Sequence, residues 1–543
     1  MDLQARLAVA SGICLLPLAP LAARLAHLQV LEHRQLQSRV EGEVLHAAHE
    51  ALGRGEILDR RGRLLAQSVP AWSCFLDKTP IKDARAAAER LSPLLAMPAS
   101  EIRRRMDTAA RVVRIKDGLD GAQFSAVTES KLPGVNLILT QKRLYPNQEL
   151  ARNVLGIVGA QEHGLSGLEL VFDERLRGKP RLLAYLRDGS GRVIQNASGP
   201  AAQRPEPLRL SINRDIQFHA EEVLREATAQ FKAKGGMIIV EEPATGALLA
   251  MAATPPTHLK NPMVQDTYEP GSTFKLVTAA AALEESVVSL EDPFFCENGT
   301  YEVSPGVFIH DHEPSANLNL QGILEHSSNI GIAKVAEKVG TKRFYRYTRA
   351  FGFGLKTGVT LPGETAGQMK SLPELTKVVL AASSYGYGLG VSALQVADAY
   401  SALANGGTLY EPTILDGKRP VRVRRVISEK TAQTLTRMLE GVVEHGTGAS
   451  ARIPGWRVAG KTGTARKVDP RTGEYSNSAY MASFVGFLPA SRPRWTILVV
   501  MDEPKGQYYG AQVSAPVFAK LARRLLAMEA VPPDADTNLA AVP

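Results

Sequence analysis

The stretch DTYEPGSTFKLVTAAAALEE, Asp266 to Glu285, places a serine and a lysine three residues apart where a helix-forming run begins. Residues three apart on a helix lie one turn above each other on the same face, so the Ser272 hydroxyl and the Lys275 amine are neighbours. A serine at a helix start also meets unpaired N–H groups and the positive end of the macrodipole, both of which favour developing negative charge. For that serine to attack a carbonyl its proton must leave, and Lys275 accepts it only as a neutral amine. A free lysine has a pKa near 10.4, and lowering it by about 3 units costs roughly 4 kcal/mol. Burial together with a second cation nearby is a sufficient source of such a shift.

The chain offers candidates for that second cation and for a group to orient the amine. EHSSNIGIAKVAEKVG, Glu325 to Gly340, opens another apolar helix with Ser327 and Asn329, a proton relay and a holder for Lys275. VAGKTGTA, Val458 to Ala465, reads as a strand carrying Lys461, Thr462, Gly463 and Thr464. Backbone N–H groups there suit an oxyanion, and the two threonines suit a carboxylate. Gly460 and Gly463 are expected to let a substrate backbone approach closely. A second Lys-Thr-Gly, Lys356 to Gly358, lies among glycines in a loop pattern and is set aside. FIHDHEP brings His310, Asp311 and His312 together, but no further ligand cluster accompanies them, so neither a metal nor a cofactor is expected.

Working outward, GMIIVEEPATGALLAMAAT reads as two apolar strands about a turn at Pro243 to Gly246. Late in the chain GWRVAGKTGTARKV, MASFVGFLP and RWTILVVMDEP are three strand candidates joined by short loops, which suits antiparallel pairing. IQFHAEEVLREATAQFKA is amphipathic at helical period. So is SEKTAQTLTRMLEGVVEHG, where Ser428 is the expected N-cap and Leu435, Met438, Leu439 and Val442 share a face. Strands at both ends with helices between them predict an α+β domain in which the first hairpin meets the last three strands.

The N-terminal third reads differently. Leu7 to Ala23 carries no charge and, continued to Leu28, is long enough to span a bilayer as an uncleaved anchor. LQVLEHRQLQSRVEGEVLHAAHEAL, from Leu28 to Leu52, is expected to continue it as a juxtamembrane helix. GRGEILDRRGRLLAQS then gives a hairpin about Asp59 to Gly62, DARAAAERLSPLLA a helix, and Asp188 to Gly191 a turn. NASGPAAQRPEP, Asn196 to Pro207, reads as an interdomain junction. The boundaries expected are an anchor over 1–48, a pedestal module over 49–200, a catalytic domain over 201–528 and a disordered tail over 529–543. The formal net charge is +9, yet no basic block interleaved with aromatics and no zinc spacing argues for nucleic acid. Three cysteines, Cys14, Cys74 and Cys296, do not suggest a disulfide framework.

The ordered set S-x-x-K, S-x-N and K-T-G resembles the penicillin-binding proteins and serine β-lactamases. YEPGSTFK, EHSSNIGIAK, FGFGLKTGVTLPGE, YGYGLGVSALQVADAYSALANGG and SFVGFLPASRPRWTILVVMDEPKGQYYG are similar to the class B monofunctional transpeptidases, especially the cell-division type. GRGEILDRRGRLLAQS and RLYPNQELARNVLGIVG resemble that class's non-catalytic N-terminal module. The resemblance implies a penicillin-recognising fold, an antiparallel sheet with helices on both faces, behind a transmembrane helix and a pedestal. It implies Ser272 as the acylated nucleophile, Lys275 as its base and Ser327 as the relay to the leaving D-alanine. Asn329 would bind the donor amide, Lys461 supply positive field, Thr462, Gly463 and Thr464 bind substrate, and the N–H groups of Ser272 and Thr464 form the oxyanion hole. The implied partners are D-Ala-D-Ala stem-peptide donors with amine acceptors, β-lactams, a SEDS-family glycosyltransferase and other divisome membrane proteins. The implied location is the bacterial inner membrane, single-pass, with catalysis outside the cytoplasm. Side-wall synthesis, D-alanyl-D-alanine carboxypeptidase activity, β-lactam hydrolysis and a non-catalytic sensor stay open. Glu242, His445 and the SALQ run Ser392 to Gln395 depart from the pattern at non-catalytic positions.

Overall fold

The computed structural model describes residues 2, 18–33, 45–49, 53–159, 162–178, 182–187, 193–198, 205–469 and 471–535. These fall into two compact units, one drawn from segments 1–54, 70–142 and 177–205, the other from 55–69, 143–176 and 206 onward.

In the first unit an α-helix, Leu18–Ala26, runs into a π-helical turn, His27–Leu31. No helix among the described residues is long and apolar enough to cross a membrane, and most of the uncharged run from Leu7 lies outside them. The expected juxtamembrane helix fails at Leu45–His49, which is a strand paired antiparallel with Leu182–Arg187, itself paired with Val193–Ser198. A five-residue apolar-rich run has no decisive period, and cross-strand pairing overrides local preference. The turn at Asp188 to Gly191 and most of the junction after Ser198 lie outside the described residues. The helix Ala84–Leu95 forms where its period places it, capped by Asp83, which accepts from Arg85 N and Ala86 N, and buries Leu91 and Leu95.

Segments 55–69 and 143–176 make their contacts within the second unit. The hairpin about Asp59 to Gly62 is present, with Ile57–Leu58 facing Leu64 and Ala66. Asp59 explains its allegiance. Its buried carboxylate accepts from Arg63 N at 2.8 Å and from Arg214 N at 3.2 Å, while Arg63 Nη1 reaches Asp215 at 2.7 Å. Local spacing reveals such a turn but not an anchor some 150 residues away.

The second unit is a five-stranded antiparallel sheet between helices. Helix α1 is Arg214–Gln230, and strands β1, Gly235–Glu242, and β2, Ala247–Thr254, follow it. Helices α2, Lys275–Glu284, α3, Asn329–Val339, α4, Ala393–Ala404, and α5, Glu429–Glu444, come next. Then β3, Ala459–Val468, β4, Tyr475–Leu488, β5, Trp495–Asp502, and helix α6, Gly510–Met528, close it. The strand order is β2-β1-β5-β4-β3, so the first hairpin does meet the last three strands through β1 and β5.

Side chains alternate across the sheet with period two. Ile238, Val240, Ile497 and Val499 pack in the core beneath α1 and α6, whereas Ile239, Leu498 and Val500 pack in the core shared with α2, α3, α4 and α5. Helices therefore cover both faces, and β3 is left as an edge. Ser428 caps α5 and its expected apolar face is buried. The tail departs from expectation over residues 529–535. Asp534 accepts from Arg457 N at 2.7 Å, and Trp456 Nε1 donates to Pro532 O at 3.1 Å. A Pro-rich composition excludes a regular element without excluding docking through polar anchors. Cys74 and Cys296 are free, buried thiols.

Candidate active site

Ser272 sits in a single 3-10 turn, Gly271–Phe274, that feeds directly into α2, whose first residue is Lys275. The turn is fixed from three sides. Gly271 adopts φ +55°, a conformation suited to glycine, and its missing Cβ would lie 3.0 Å from Thr464 O. Thr273 Oγ1 donates to Pro270 O at 2.8 Å, and Tyr400 OH, from α4, donates to Thr273 O at 2.9 Å.

Lys275 is fully buried. Its Nζ donates to Ser272 Oγ at 3.0 Å, to Asn329 Oδ1 at 2.9 Å, to Ser327 Oγ at 3.2 Å and also to Ser327 O. Ser327 takes φ +56°, unusual for a residue with a side chain, and this backbone turns both its carbonyl and its hydroxyl toward the amine. Lys461, likewise fully buried, donates to Ser327 Oγ at 2.9 Å. The structure thus joins Ser272, Lys275, Ser327, Asn329 and Lys461 in one continuous hydrogen-bonded network. Burial holds the Lys275 ammonium well below its ordinary pKa, the Lys461 charge lowers it further, and Asp311 opposes both. Burial alone brings Lys461 down to about 7.

Thr462 and Thr464 line the same cleft of about 550 Å³ as Ser272, Ser327 and Asn329. Thr462 Oγ1 donates to Thr447 Oγ1 at 3.0 Å, and Thr464 Oγ1 accepts from Gly510 N at 2.9 Å. The expectation for the glycines is corrected. A Cβ at Gly463 would meet Ser483 Oγ at 2.3 Å, Pro270 O at 2.9 Å and Thr273 Cγ2 at 2.9 Å, and one at Gly460 would meet Phe484 Cζ at 2.5 Å. Both glycines admit neighbouring protein rather than substrate, and Gly463 seats the serine turn on the strand. Gly463→Ala is expected to cost about 1–3 kcal/mol by overpacking and to slow β-lactam acylation, since backbone at Pro270 must retreat. Thermal unfolding and acylation rates measured together check this.

Three contributors escaped sequence reading. Asp311, set aside with the metal pattern, accepts from Ser328 Oγ, from Asn329 N, and from Ile330 N at 3.0 Å, so it fixes the start of α3 and with it Asn329. No group of three or more His, Cys, Asp or Glu among the described residues is arranged to hold a metal. Asn329 Nδ2 in turn donates to His310 O at 3.0 Å. Tyr400 and Thr447 complete the set. The set-aside Lys356-Thr357-Gly358 lies in a loop bound to Glu364, Thr357 Oγ1 donating at 2.6 Å.

A serine at the head of a helix paired with a buried lysine of depressed pKa, facing a lysine on the edge strand of a sheet covered on both faces, defines the active-serine penicillin-recognising class. Within it the chain belongs to the FtsI-like class B penicillin-binding proteins. The penicillin binding protein transpeptidase domain matches residues 236–523 and the penicillin-binding protein dimerisation domain residues 50–210. Peptidoglycan D,D-transpeptidase FtsI of Escherichia coli (strain K12) is 33% identical over 98% of this chain and 93% of its own length. A probable peptidoglycan D,D-transpeptidase, PbpC of Pseudomonas aeruginosa, is 32% identical over 96% and 95%. Penicillin binding protein 3 from Mycobacterium tuberculosis, crystallised with aztreonam, superposes with a TM-score of 0.70 at 28% identity, covering 90% of this chain and 98% of that one.

Proposed function

We propose that the protein is a septal peptidoglycan D,D-transpeptidase and a target of β-lactams. One observation carries the reading: a fully buried Lys275 amine 3.0 Å from Ser272 Oγ, depressed in pKa by burial and by Lys461. Neutral Lys275 takes the Ser272 proton as Oγ adds to the penultimate D-alanine carbonyl. The N–H groups of Ser272 and Thr464 receive the oxyanion while Thr462 and Thr464 hold the terminal carboxylate. Ser327, between the two amines, passes the proton to the departing D-alanine nitrogen as the C–N bond breaks. An acceptor amine then attacks the acyl-enzyme, its proton returns through the same network, and Ser272 is released. In a β-lactam the broken C–N bond leaves the departing nitrogen tethered, so the acyl-enzyme persists.

The catalytic assignment concerns residues 201–528. The uncharged run from Leu7 is assigned as a single-pass anchor in the inner membrane, holding this domain outside the cytoplasm. The matched regions contain no polymerase, so a SEDS-family glycosyltransferase is the expected partner, to be tested by co-purification and bilayer reconstitution. Incubating the protein with a D-Ala-D-Ala stem-peptide donor tests the reaction. D-alanine release that an acceptor amine accelerates, with cross-linked product, is expected; release into water alone, indifferent to acceptor, would make it a carboxypeptidase.

A further inference from the structure

We propose that Glu241 and Asp398 share a buried proton that fastens α4 to the central sheet, and that through Tyr400 this fastening makes the pair positioning residues for the Ser272 turn.

Alternation along β1 sends Glu241 to the same face as Ile239, the face on which α4 packs. Its cross-strand partner on β5 is Thr496, and opposite stands Asp398, with Ser401 one turn further along α4. All four side chains are buried, Glu241 at 2% exposure and Asp398 at 4%. The two carboxyls meet, Asp398 donating to Glu241. Glu241 Oε2 and Asp398 Oδ1 have no other partner, and no cation among the described residues pairs with either acid. Two ionised carboxylates in contact at such a depth repel each other without compensation, whereas one proton between them makes a charge-assisted hydrogen bond.

The surrounding charges leave the proton in place. Glu364, from the 355–366 loop, repels the Asp398 carboxylate and favours its protonated form. Lys356, Tyr410 and Arg424 line a cavity of about 40 Å³ beside Asp398, but Arg424 is committed to Arg349 O at 2.8 Å and neither cation pairs with the acid. Glu242, the next residue of β1, points the other way and pairs with Arg60 at 3.7 Å. The segments of β4, α5 and Pro262–Gln265 that also pack on α4 bring no charge to bear on either acid. Burial raises both groups, Glu241 to about 7 and Asp398 well above the usual carboxylate range, the Glu241 charge adding to the latter. Such acids keep protons in the fold that the unfolded chain has lost, so the stability they contribute falls as pH rises until the folded group itself ionises. For Glu241 that loss runs up to about pH 7, and for Asp398 it continues beyond.

The opposite side of α4 carries the consequence. Tyr400, two residues from Asp398 and so turned away from the sheet, donates to Thr273 O at 2.9 Å inside the serine turn. Like charge at the sheet face of α4 therefore reaches Ser272 through one hydrogen bond.

The full-length protein and its Glu241→Gln and Asp398→Asn variants test this, since an amide donates to the remaining carboxylate without titrating. The wild type is expected to lose about tenfold in its folding equilibrium for each pH unit between roughly 7 and 9, read as about 5 °C of Tm over that range. Both variants should lose less than half as much. Acylation by a fluorescent penicillin gives the second readout: between those two pH values each variant should retain about threefold more of its rate than the wild type retains. Adding Tyr400→Phe should erase that advantage and leave the difference in Tm profiles standing. Parallel Tm profiles in the three proteins overturn the shared proton. Profiles that differ while acylation ratios coincide, or an advantage that survives Tyr400→Phe, overturn the positioning role. The Tm readout does not depend on Ser272, so a wild type that failed to accept label would defeat the nucleophile assignment as a separate result.

Discussion

Ser272→Ala protein exposed to a fluorescent penicillin stays unlabelled under conditions that label the wild type to one equivalent. The argument is chemical before it is structural. The label survives denaturing gels only as an ester on a hydroxyl oxygen, and Ser272 Oγ is the hydroxyl at the head of α2, 3.0 Å from the buried Lys275 amine. Ser327 is the nearest competitor, but its hydroxyl already lies between Lys275 and Lys461 at 3.2 and 2.9 Å and takes the position of a relay. The substitution should leave the fold intact. Lys275 keeps the Ser327 and Asn329 oxygens as acceptors, and a small, partly exposed side chain loses one atom, so unfolding should move by no more than about 1 kcal/mol. A Ser272→Ala protein that still takes up label would place the nucleophile elsewhere and remove the basis for every role given above.

The regular part of this molecule lay open to sequence reading because its signals are local. Alternation in GMIIVEEP and RWTILVVMDEP sends Ile238 and Ile497 to one core and Ile239 and Leu498 to the other, and nothing distant competes with that pattern. The Ser272 and Lys275 pair is equally local, one helical turn. Lys461 was legible only because its chemistry was already required: a depressed amine needs a second cation, and the strand supplies one.

What stayed hidden acts across long separations. Asp311 caps a helix that begins 18 residues later, and its flanking histidines disguised it as a metal pattern. Tyr400 steadies the serine turn from a helix more than 120 residues away. Gly463 looked like an opening for substrate because a missing side chain does not say which neighbour fills the space; Ser483, Pro270 and Thr273 do. Leu45–His49 was misread as helix for the same reason, since its partner, Leu182–Arg187, is set by the tertiary fold.

Removing the amine tests the remaining link, between burial and base strength. Lys275→Met preserves length and apolar packing while deleting the group that accepts the Ser272 proton, and β-lactam acylation is expected to fall by about 10²–10⁴, the range for loss of a general base. The pH dependence separates the causes. Acylation requires neutral Lys275, so its rate climbs with pH through the Lys275 pKa, and whatever lowers that pKa moves the climb toward acid. Lys461 lowers it by repulsion and Asp311 raises it by attraction. Lys461→Gln should therefore shift the acid limb to higher pH, and Asp311→Asn should shift it to lower pH, whatever each does to the maximal rate. A purely structural role for either residue would change the height of the profile and leave its position fixed. Opposite displacements from two substitutions on opposite sides of one amine are the result expected of Lys275 as the titrating base. Limbs that coincide with the wild type in both variants would assign proton removal to another group.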